Sequence, residues 1–327
     1  MPFARERKRK PIVFATNDKG YTYLKTAVYT LLRNCPVQNG YEIVVLEGEG
    51  GVSTEHKADL QKLVSGKVSL SFYDVDPLLE ENRDRFLKIK QGRTMMIWAR
   101  FFIEMALPDF DGNVLYADTD TYFAGDLEEL FSINLGDNLI GMVPECSRDH
   151  RPERFARDGF NADMQVYCNA GVALINLGAW RKEGVYASLI DWIDQRGKCT
   201  YVWADQDVLN AVLWRRIHYL PPKYNYHDGW VEKSCRKSMR ASLWNGNRPK
   251  DVLEAILNPV LLHYWGRKPW KFCHRPEHAR YEQVMRELSL IEESLPGTTF
   301  FGRCTLPFWD ALHAVMKWWA RCRLNNR

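Results

Sequence analysis

Asp118 and Asp120 stand two apart, directly after the apolar run Asn113–Ala117 (NVLYA), with Thr119 between them. Residues two apart on an extended chain point to the same side. Two carboxylates so aligned at a strand end repel each other unless a cation lies between them. Oxygen ligands of this kind suit a hard divalent ion. The residue types allow a turn with two solvated aspartates equally well. Three other pairs share the spacing, Asp74/Asp76, Asp109/Asp111 and Asp205/Asp207, so it is the buried strand in front that singles out Asp118 and Asp120.

Further chemistry-bearing groups follow along the chain. Tyr167-Cys168-Asn169-Ala170-Gly171-Val172 leads into the apolar run Ala173–Asn176. A small-residue turn there permits close approach of backbone or ligand, and the Asn169 amide can bond a sugar hydroxyl or simply brace the turn. Asp205-Gln206-Asp207 opens a helical stretch. Acidic residues suit a helix start electrostatically, but Asp205 and Gln206 would also project past the helix end into an adjoining cleft. His263-Tyr264-Trp265-Gly266-Arg267-Lys268-Pro269-Trp270 gathers a metal-binding imidazole, a glycine, two cations suited to phosphate and two indole walls.

Such groups need strand ends and helix starts to hold them. Pro11–Ala15 is a short buried-strand run, and Tyr21–Asn34 has helical spacing with Leu24, Val28, Leu31 and Leu32 on one side. Tyr41–Leu46 is strand-like, Thr54–Ser65 a helix and Val68–Tyr73 an alternating strand. This order predicts a parallel sheet covered by helices, because parallel strands need crossover connections. Thr94–Leu107 is expected as a helix, and Leu139–Val143 and Gly171–Asn176 as strands. Trp180–Arg196 and Asp205–Trp214 are expected as helices, Val260–Tyr264 as the last strand, and Tyr281–Glu293 and Pro307–Leu324 as terminal helices. Polar stretches at Glu145–Val166 and Lys223–Pro249 are long enough to be loops over a site. In open parallel sheets, ligands sit beyond the carboxyl ends of the strands. That rule puts Thr16, Asn17 and Asp18 beside Asp118, Thr119 and Asp120 as first candidates.

Taken in order, the segments IVFATND, YADTD, YCNAGVALINL, ADQDVLN and HYWGRKPW resemble family 8 glycosyltransferases, particularly the bacterial lipopolysaccharide hexosyltransferase branch. The resemblance spans roughly residues 11–275. It implies an α/β fold of GT-A type, with a Rossmann-like, mostly parallel central sheet flanked by helices and a C-terminal helical extension. It also implies an enzyme that uses Mn²⁺ or Mg²⁺ to move galactose or glucose, with retention, from a UDP-hexose to a saccharide or glycolipid acceptor such as lipopolysaccharide. By the same resemblance Asp118, Asp120 and His263 match the metal ligands, and Ala15, Thr16 and Asn17 the nucleoside contacts. Arg100 resembles the helix arginine near the donor, and Lys268 the lysine on the diphosphate, with Gly266 in the same loop. Asn169 and Asp205 look like the donor-sugar contacts, and Gln206 sits opposite the anomeric carbon. Asn17 departs from the family's usual Asp, which makes Asp18 a candidate to share the nucleoside role. The spacing from His263 to Lys268 is one residue shorter than the family's, which keeps Arg267 as a substitute for Lys268.

The leaving nucleoside diphosphate gathers negative charge, which a divalent ion and Lys268 or Arg267 would offset. The sugar becomes oxocarbenium-like, which Asp205 could stabilise. Gln206 is a poor nucleophile, so same-face attack is the expected course, with double displacement the alternative. Two further readings remain open. Asp118-Thr119-Asp120 after a strand resembles the nucleophile motif of haloacid-dehalogenase-type phosphatases, although Tyr122 stands where that motif expects Thr or Val. The scaffold could also serve a non-catalytic sugar-binding or membrane-adaptor role.

The 327 residues carry a net charge of +4, with 46% hydrophobic and 26% charged residues, which are globular values that exclude disorder. Residues 1–10 hold five Lys/Arg and one Glu, and residues 305–327 hold four Lys/Arg and one Asp, so both ends are basic and the body mildly acidic. That pattern argues against a nucleic-acid partner and suits ends that touch an anionic membrane. In Pro307–Leu324, helical spacing puts Leu312, Val315, Met316, Trp319 and Cys322 on one face, a composition suited to a membrane interface or to packing on the domain. No apolar run long enough to span a membrane and no signal-peptide core are seen, and the eight scattered cysteines form no Cys-x-x-Cys pair. The expectation is a cytoplasmic protein, peripheral on the inner face of the plasma membrane. Its expected organisation is a basic tail at 1–10, a catalytic domain at 11–275 and a helical, membrane-associating segment at 276–327.

Overall fold

A computed structural model describes residues 9–36, 40–89, 94–145, 160–161, 163–196, 203–227, 247–265, 268–269, 276–290, 311, 314–318 and 320–324. Gly266, Arg267 and Trp270, and most of the two long polar stretches, lie outside them. The strands, in chain order, are β1 (Lys10–Thr16), β2 (Tyr41–Glu47), β3 (Ser69–Asp74), β4 (Asn113–Ala117), β5 (Thr121–Phe123), β6 (Ile140–Pro144), β7 (Cys168–Asn176), β8 (Ile217–Tyr219) and β9 (Leu261–His263). Seven of them form one sheet in the order β3-β2-β1-β4-β7-β6-β8. β1 pairs in parallel with β2 and β4, β2 with β3, and β6 with β8, while β7 alone runs antiparallel to both its neighbours. The central sheet is therefore mostly parallel, as the strand-helix alternation predicts.

The inner strands of this sheet are buried on both faces, which is why β1, β2, β4, β6 and β7 are nearly continuous apolar runs, whereas the edge strand β3 alternates. Ile12, Phe14, Ile43 and Val45 pack into one core with Leu24, Val28 and Leu31 of the Tyr21–Asn34 helix. Val13, Val44 and Leu46 face a second core with Trp98, Phe101 and Phe102. Tyr281, Val284, Met285 and Met316 from the terminal helices join the first core.

Several expectations change. Thr94–Leu107 is not one α-helix: Met95–Phe102 is wound as a 3₁₀ stretch, with the Thr94 hydroxyl accepting from the Met96 N–H at 3.2 Å, before an α-turn at Ile103–Ala106. The long helix at Trp180–Arg196 is two, Leu177–Lys182 and Val185–Asp194, divided at Gly184, whose φ of 60° breaks the helical path. The expected last strand, β9, pairs with β5 in a separate two-stranded sheet and not with the central one. β7 begins three residues earlier than Gly171, so Cys168-Asn169-Ala170 is strand and not a turn. The short elements β5, β8, Asp76–Glu81 and Arg83–Ile89, and the helix Pro249–Leu257, were not anticipated.

In the C-terminal segment, residues 314–318 and 320–324 are helical. Met316 and Ala320, one turn apart, are buried, whereas Val315 and Trp318 are 59% and 65% exposed. The expected single face is thus divided: Met316 packs on the domain and Val315 turns outward. Leu312 and Trp319 lie outside the described residues. No helix among the described residues is long and apolar enough to cross a membrane.

Candidate active site

Two backbone pairings bring the distant motifs together. Thr121 of β5 faces His263 of β9, and the Tyr264 N–H donates to the Asp120 carbonyl at 3.0 Å. His263 is thereby delivered to the Asp118/Asp120 turn although it lies 143 positions beyond Asp120 in the chain. On the other side, Ala117 of β4 pairs with Val172 of β7, and the Asp118 N–H donates to the Gly171 carbonyl at 2.8 Å. The β6–β7 ladder breaks here: Met142 pairs with Ala173, but Val143 pairs with Asn169. Ala170–Val172 bulge away from β6, and a bulge leaves backbone groups without ladder partners. Two of them turn to side chains of the site. The Ala170 N–H donates to Gln206 Oε1 at 2.9 Å, and the Ala170 carbonyl accepts from the Arg100 guanidinium.

Ligand atoms of Asp118, Asp120 and His263 all lie within 4.8 Å of one another, the only such group among the described residues. His263 Nε2 is 3.3 Å from Asp120 Oδ1 and 3.6 Å from Asp118 Oδ2. The imidazole is held from behind. Asn169 Oδ1 accepts from the Gly171 N–H and from Asn225 Nδ2, both at 2.9 Å, which turns Asn225 Oδ1 toward His263 Nδ1, also at 2.9 Å. The Asn225 oxygen accepts from Nδ1, which leaves Nε2 facing the two carboxylates, the position a metal ligand needs. A Cβ at Gly171 would overlap the His263 ring, so only glycine leaves room for it. The residues present fit a divalent cation: three ligands of the right chemistry, converging, with the imidazole braced from behind. Lys268 pairs with Asp120 Oδ2. Burial works to raise the Asp120 carboxyl, but His263 and Lys268 win and hold it well below the usual carboxylate range.

Arg100, in the 3₁₀ stretch, lies 2.9 Å from Asp118 Oδ1 and 2.8 Å from Asp205 Oδ2. Burial opposes its charge, and the two carboxylates more than compensate, raising its pKa. Asp205 is pushed up to about 6, by burial first and then by Asp118, against the pull of Arg100. Ala204 before it holds φ 51° and ψ −107°, a conformation rarely adopted by residues with a side chain. This kink starts the Asp205–Leu213 helix so that Asp205 and Gln206 face the cavity.

Gln206 is fixed on every side. Its Nε2 donates to Glu145 Oε2 at 3.1 Å and to the Tyr167 hydroxyl at 3.2 Å. Tyr167 donates to Asp207 Oδ1 at 2.6 Å, and Asp207 Oδ2 accepts from the Trp203 N–H at 2.8 Å. Asp207 therefore braces Gln206 through Tyr167, and is more than a helix-start charge.

A cavity of about 410 Å³ is lined by Arg100, Asp118, Asp120, Asn169, Asp205, Gln206, His263 and Lys268, so eight of the expected site residues meet there. Thr119 lies in the same turn. Trp265 lines this cavity as one of the two expected indole walls; Glu145 and Trp203 also line it, and Asn225 braces it from behind, unforeseen from sequence as site residues. Glu145 had a signal: it directly follows strand β6, which runs the same way as β4. Asn17 and Asp18 line a second cavity of about 730 Å³, with Glu49 and Met95. Asn17 donates to Glu49 Oε2 at 2.7 Å. Asp18 accepts from the Ser53 N–H and pairs with His56 Nδ1, which holds its carboxyl down at about 2. Thr16 is buried and Ala15 partly buried at the end of β1. Met95 and Ile97 of the same 3₁₀ stretch line the two cavities respectively.

The model of glycosyl transferase family 8 matches residues 11–273. Glycosyltransferase GlyE of Streptococcus pneumoniae is 30% identical over 212 residues, which are 64% of this chain and 44% of that protein. The lipopolysaccharide 1,3-galactosyltransferase of Salmonella typhimurium is 28% identical over 196 residues, 59% of this chain and 54% of the relative. Among solved structures, the galactosyltransferase LgtC in complex with donor and acceptor sugar analogues superposes with a TM-score of 0.70 at 24% identity, covering 86% of this chain and 98% of that one, which shows a shared GT-A fold. These findings leave the phosphatase reading of Asp118-Thr119-Asp120 without support. The chain belongs to glycosyl transferase family 8 and is an enzyme of GT-A fold.

Proposed function

We propose that this enzyme transfers a hexose, galactose or glucose, from a UDP-sugar to a saccharide acceptor of a surface glycan such as lipopolysaccharide, with retention of anomeric configuration. The observation that carries the reading is the convergence of Asp118, Asp120 and His263 with Asp205 and Gln206 in one cavity. Asp118, Asp120 and His263 would hold Mn²⁺ or Mg²⁺, which when bound supplies Lewis-acid neutralisation of the charge on the departing diphosphate. Lys268 adds fixed positive charge at the same place, with Gly266 and Arg267 just before it in the sequence. Ala15, Thr16, Asn17 and Asp18 take the nucleoside end of the donor, and Asn169 holds its sugar.

The bond between sugar C1 and the β-phosphate oxygen breaks, and its electron pair stays with the phosphate. The acceptor oxygen bonds C1 on the same face, and its proton passes to the departing phosphate oxygen. Asp205 opposes the positive charge that grows on the sugar, while Arg100 keeps Asp205 ionised and aimed. The Gln206 amide turns its oxygen to the Ala170 N–H, and an amide oxygen is a weak nucleophile, which favours this course over double displacement. Residues 11–275 form the catalytic unit. The basic residues 1–10 and the helical segment 276–327 attach it peripherally to an anionic membrane, on the cytoplasmic face, within reach of a lipid-linked acceptor. The test is a panel of nucleotide-sugars with Mn²⁺. Slow release of UDP from one UDP-hexose is expected, and release from none would end this reading.

A further inference from the structure

The cavity holds more aromatic surface than its charged groups need. Trp203 and Trp265 both line it, with ring centroids 6.4 Å apart and planes at 79°, so the two indoles form a corner. His227 packs against Trp265 at 4.5 Å and backs it. The Trp265 Nε1–H is buried and has no hydrogen-bond partner among the described residues. Trp203 is anchored through its backbone N–H to Asp207 Oδ2, beside the start of the Asp205–Leu213 helix. Ile97 adds a further apolar wall.

The charges of the cavity are distributed unevenly. Arg100 is taken by Asp118 and Asp205, and Lys268 by Asp120. The remaining carboxylate of the lining is Glu145, buried and bonded to Gln206. A ligand resting on the indoles therefore meets two flat apolar faces, a buried N–H donor and a carboxylate, with both described cations of the lining already paired to other groups. A pyranose ring has the matching form, an apolar C–H face with a rim of hydroxyls, and aromatic faces pair well with it. An added carboxylate or phosphate on that ring would meet Glu145 unfavourably.

We propose that Trp203 and Trp265 are the platform for the acceptor sugar, and that Glu145 restricts it to a neutral hexopyranoside and turns away acidic sugars. This rests on the glycosyltransferase reading above, and a binding measurement separates the two. The full-length protein with Mn²⁺ and UDP is probed by saturation-transfer NMR with methyl glucoside, methyl galactoside and methyl glucuronide. Saturation of the ring C–H protons of a neutral glycoside, and none of the glucuronide, is expected. Trp265→Ala and Trp203→Ala should each weaken that binding about tenfold, Trp265→Phe should recover part of it, and Glu145→Gln should admit the glucuronide. Glucuronide binding to the wild type as strong as that of the neutral sugars, alanine variants that bind like wild type, or no glycoside signal at all would each overturn the proposal. So would alanine variants that raise the KM for donor and leave acceptor binding intact, because the indoles would then serve the donor. Glycoside binding needs no turnover, so a wild type that binds the glycoside but releases no UDP contradicts the glycosyltransferase reading and leaves the platform standing.

Discussion

Asp205 is buried with Arg100 against it, and burial still lifts its carboxyl to about 6. An unfolded chain would restore the ordinary value near 3.8. Between those two values the native protein binds more protons than the unfolded one, so this residue's contribution to stability falls as pH rises through the window. Asp205→Asn removes that slope. Thermal unfolding should show the variant gaining on wild type between pH 4 and pH 7, and a constant gap would contradict the buried, ionised carboxylate. Catalysis should move the other way. Gln206→Ala should lose about 10²-fold in kcat, the low end for one electrostatic donor, while Asp205→Asn should lose more because it removes a full charge. A Gln206→Ala enzyme without detectable turnover, together with a glycosyl adduct trapped on wild type, would replace same-face attack with double displacement. Most of these residue types were legible in the sequence because each follows a buried strand or opens a helix. Asn225 was not, because it lies between Tyr224 and Tyr226 in a stretch without periodicity, and its role exists only through Asn169 and His263.

Among the elements, the β7 bulge does the most to shape the site. It frees the Ala170 N–H and carbonyl for Gln206 and Arg100, and it places Gly171 against the His263 ring. Gly171→Ala should displace the imidazole and weaken Mn²⁺ binding at least about tenfold, in the range of lost support around a metal ligand, while the circular dichroism spectrum stays native. Unchanged Mn²⁺ affinity by electron paramagnetic resonance would show that the ring does not need that space. The long strands and the Tyr21–Asn34 helix announce themselves by periodicity, so the parallel half of the sheet could be read from sequence. The partnering of Asp120 with His263 could not. It depends on β5, whose three residues are too short to carry a periodic signal, and on β9 leaving the central sheet to pair with it. The bulge was hidden for a related reason: Cys168-Asn169-Ala170-Gly171 has the composition of a turn, and only the pairing of Cys168 and Asn169 with β6 makes its start strand.

For the whole molecule, the terminal helices both complete the first core and present an outer surface. Met316 and Ala320 are buried, whereas Val315 and Trp318 face solvent. The double variant Val315→Ser/Trp318→Ser should therefore lower binding to anionic vesicles about tenfold with little change in Tm, since apolar burial at the interface adds to electrostatic attraction. Met316→Ala should instead lower Tm by leaving a gap in the core. Equal vesicle binding by the double variant and wild type would remove the membrane role from this face.

The role proposed for Asp118, Asp120 and His263 is to hold the cation at which a nucleoside diphosphate departs. It is tested most directly by titrating Mn²⁺ into wild type, Asp118→Asn and Asp120→Asn in the presence of UDP, with UDP release from UDP-hexose followed in the same samples. An amide keeps the shape of the side chain and removes the anion, so both variants should lose Mn²⁺ binding and most UDP release while remaining folded. Wild-type turnover that persists in saturating EDTA, or variants that release UDP at the wild-type rate, would contradict it.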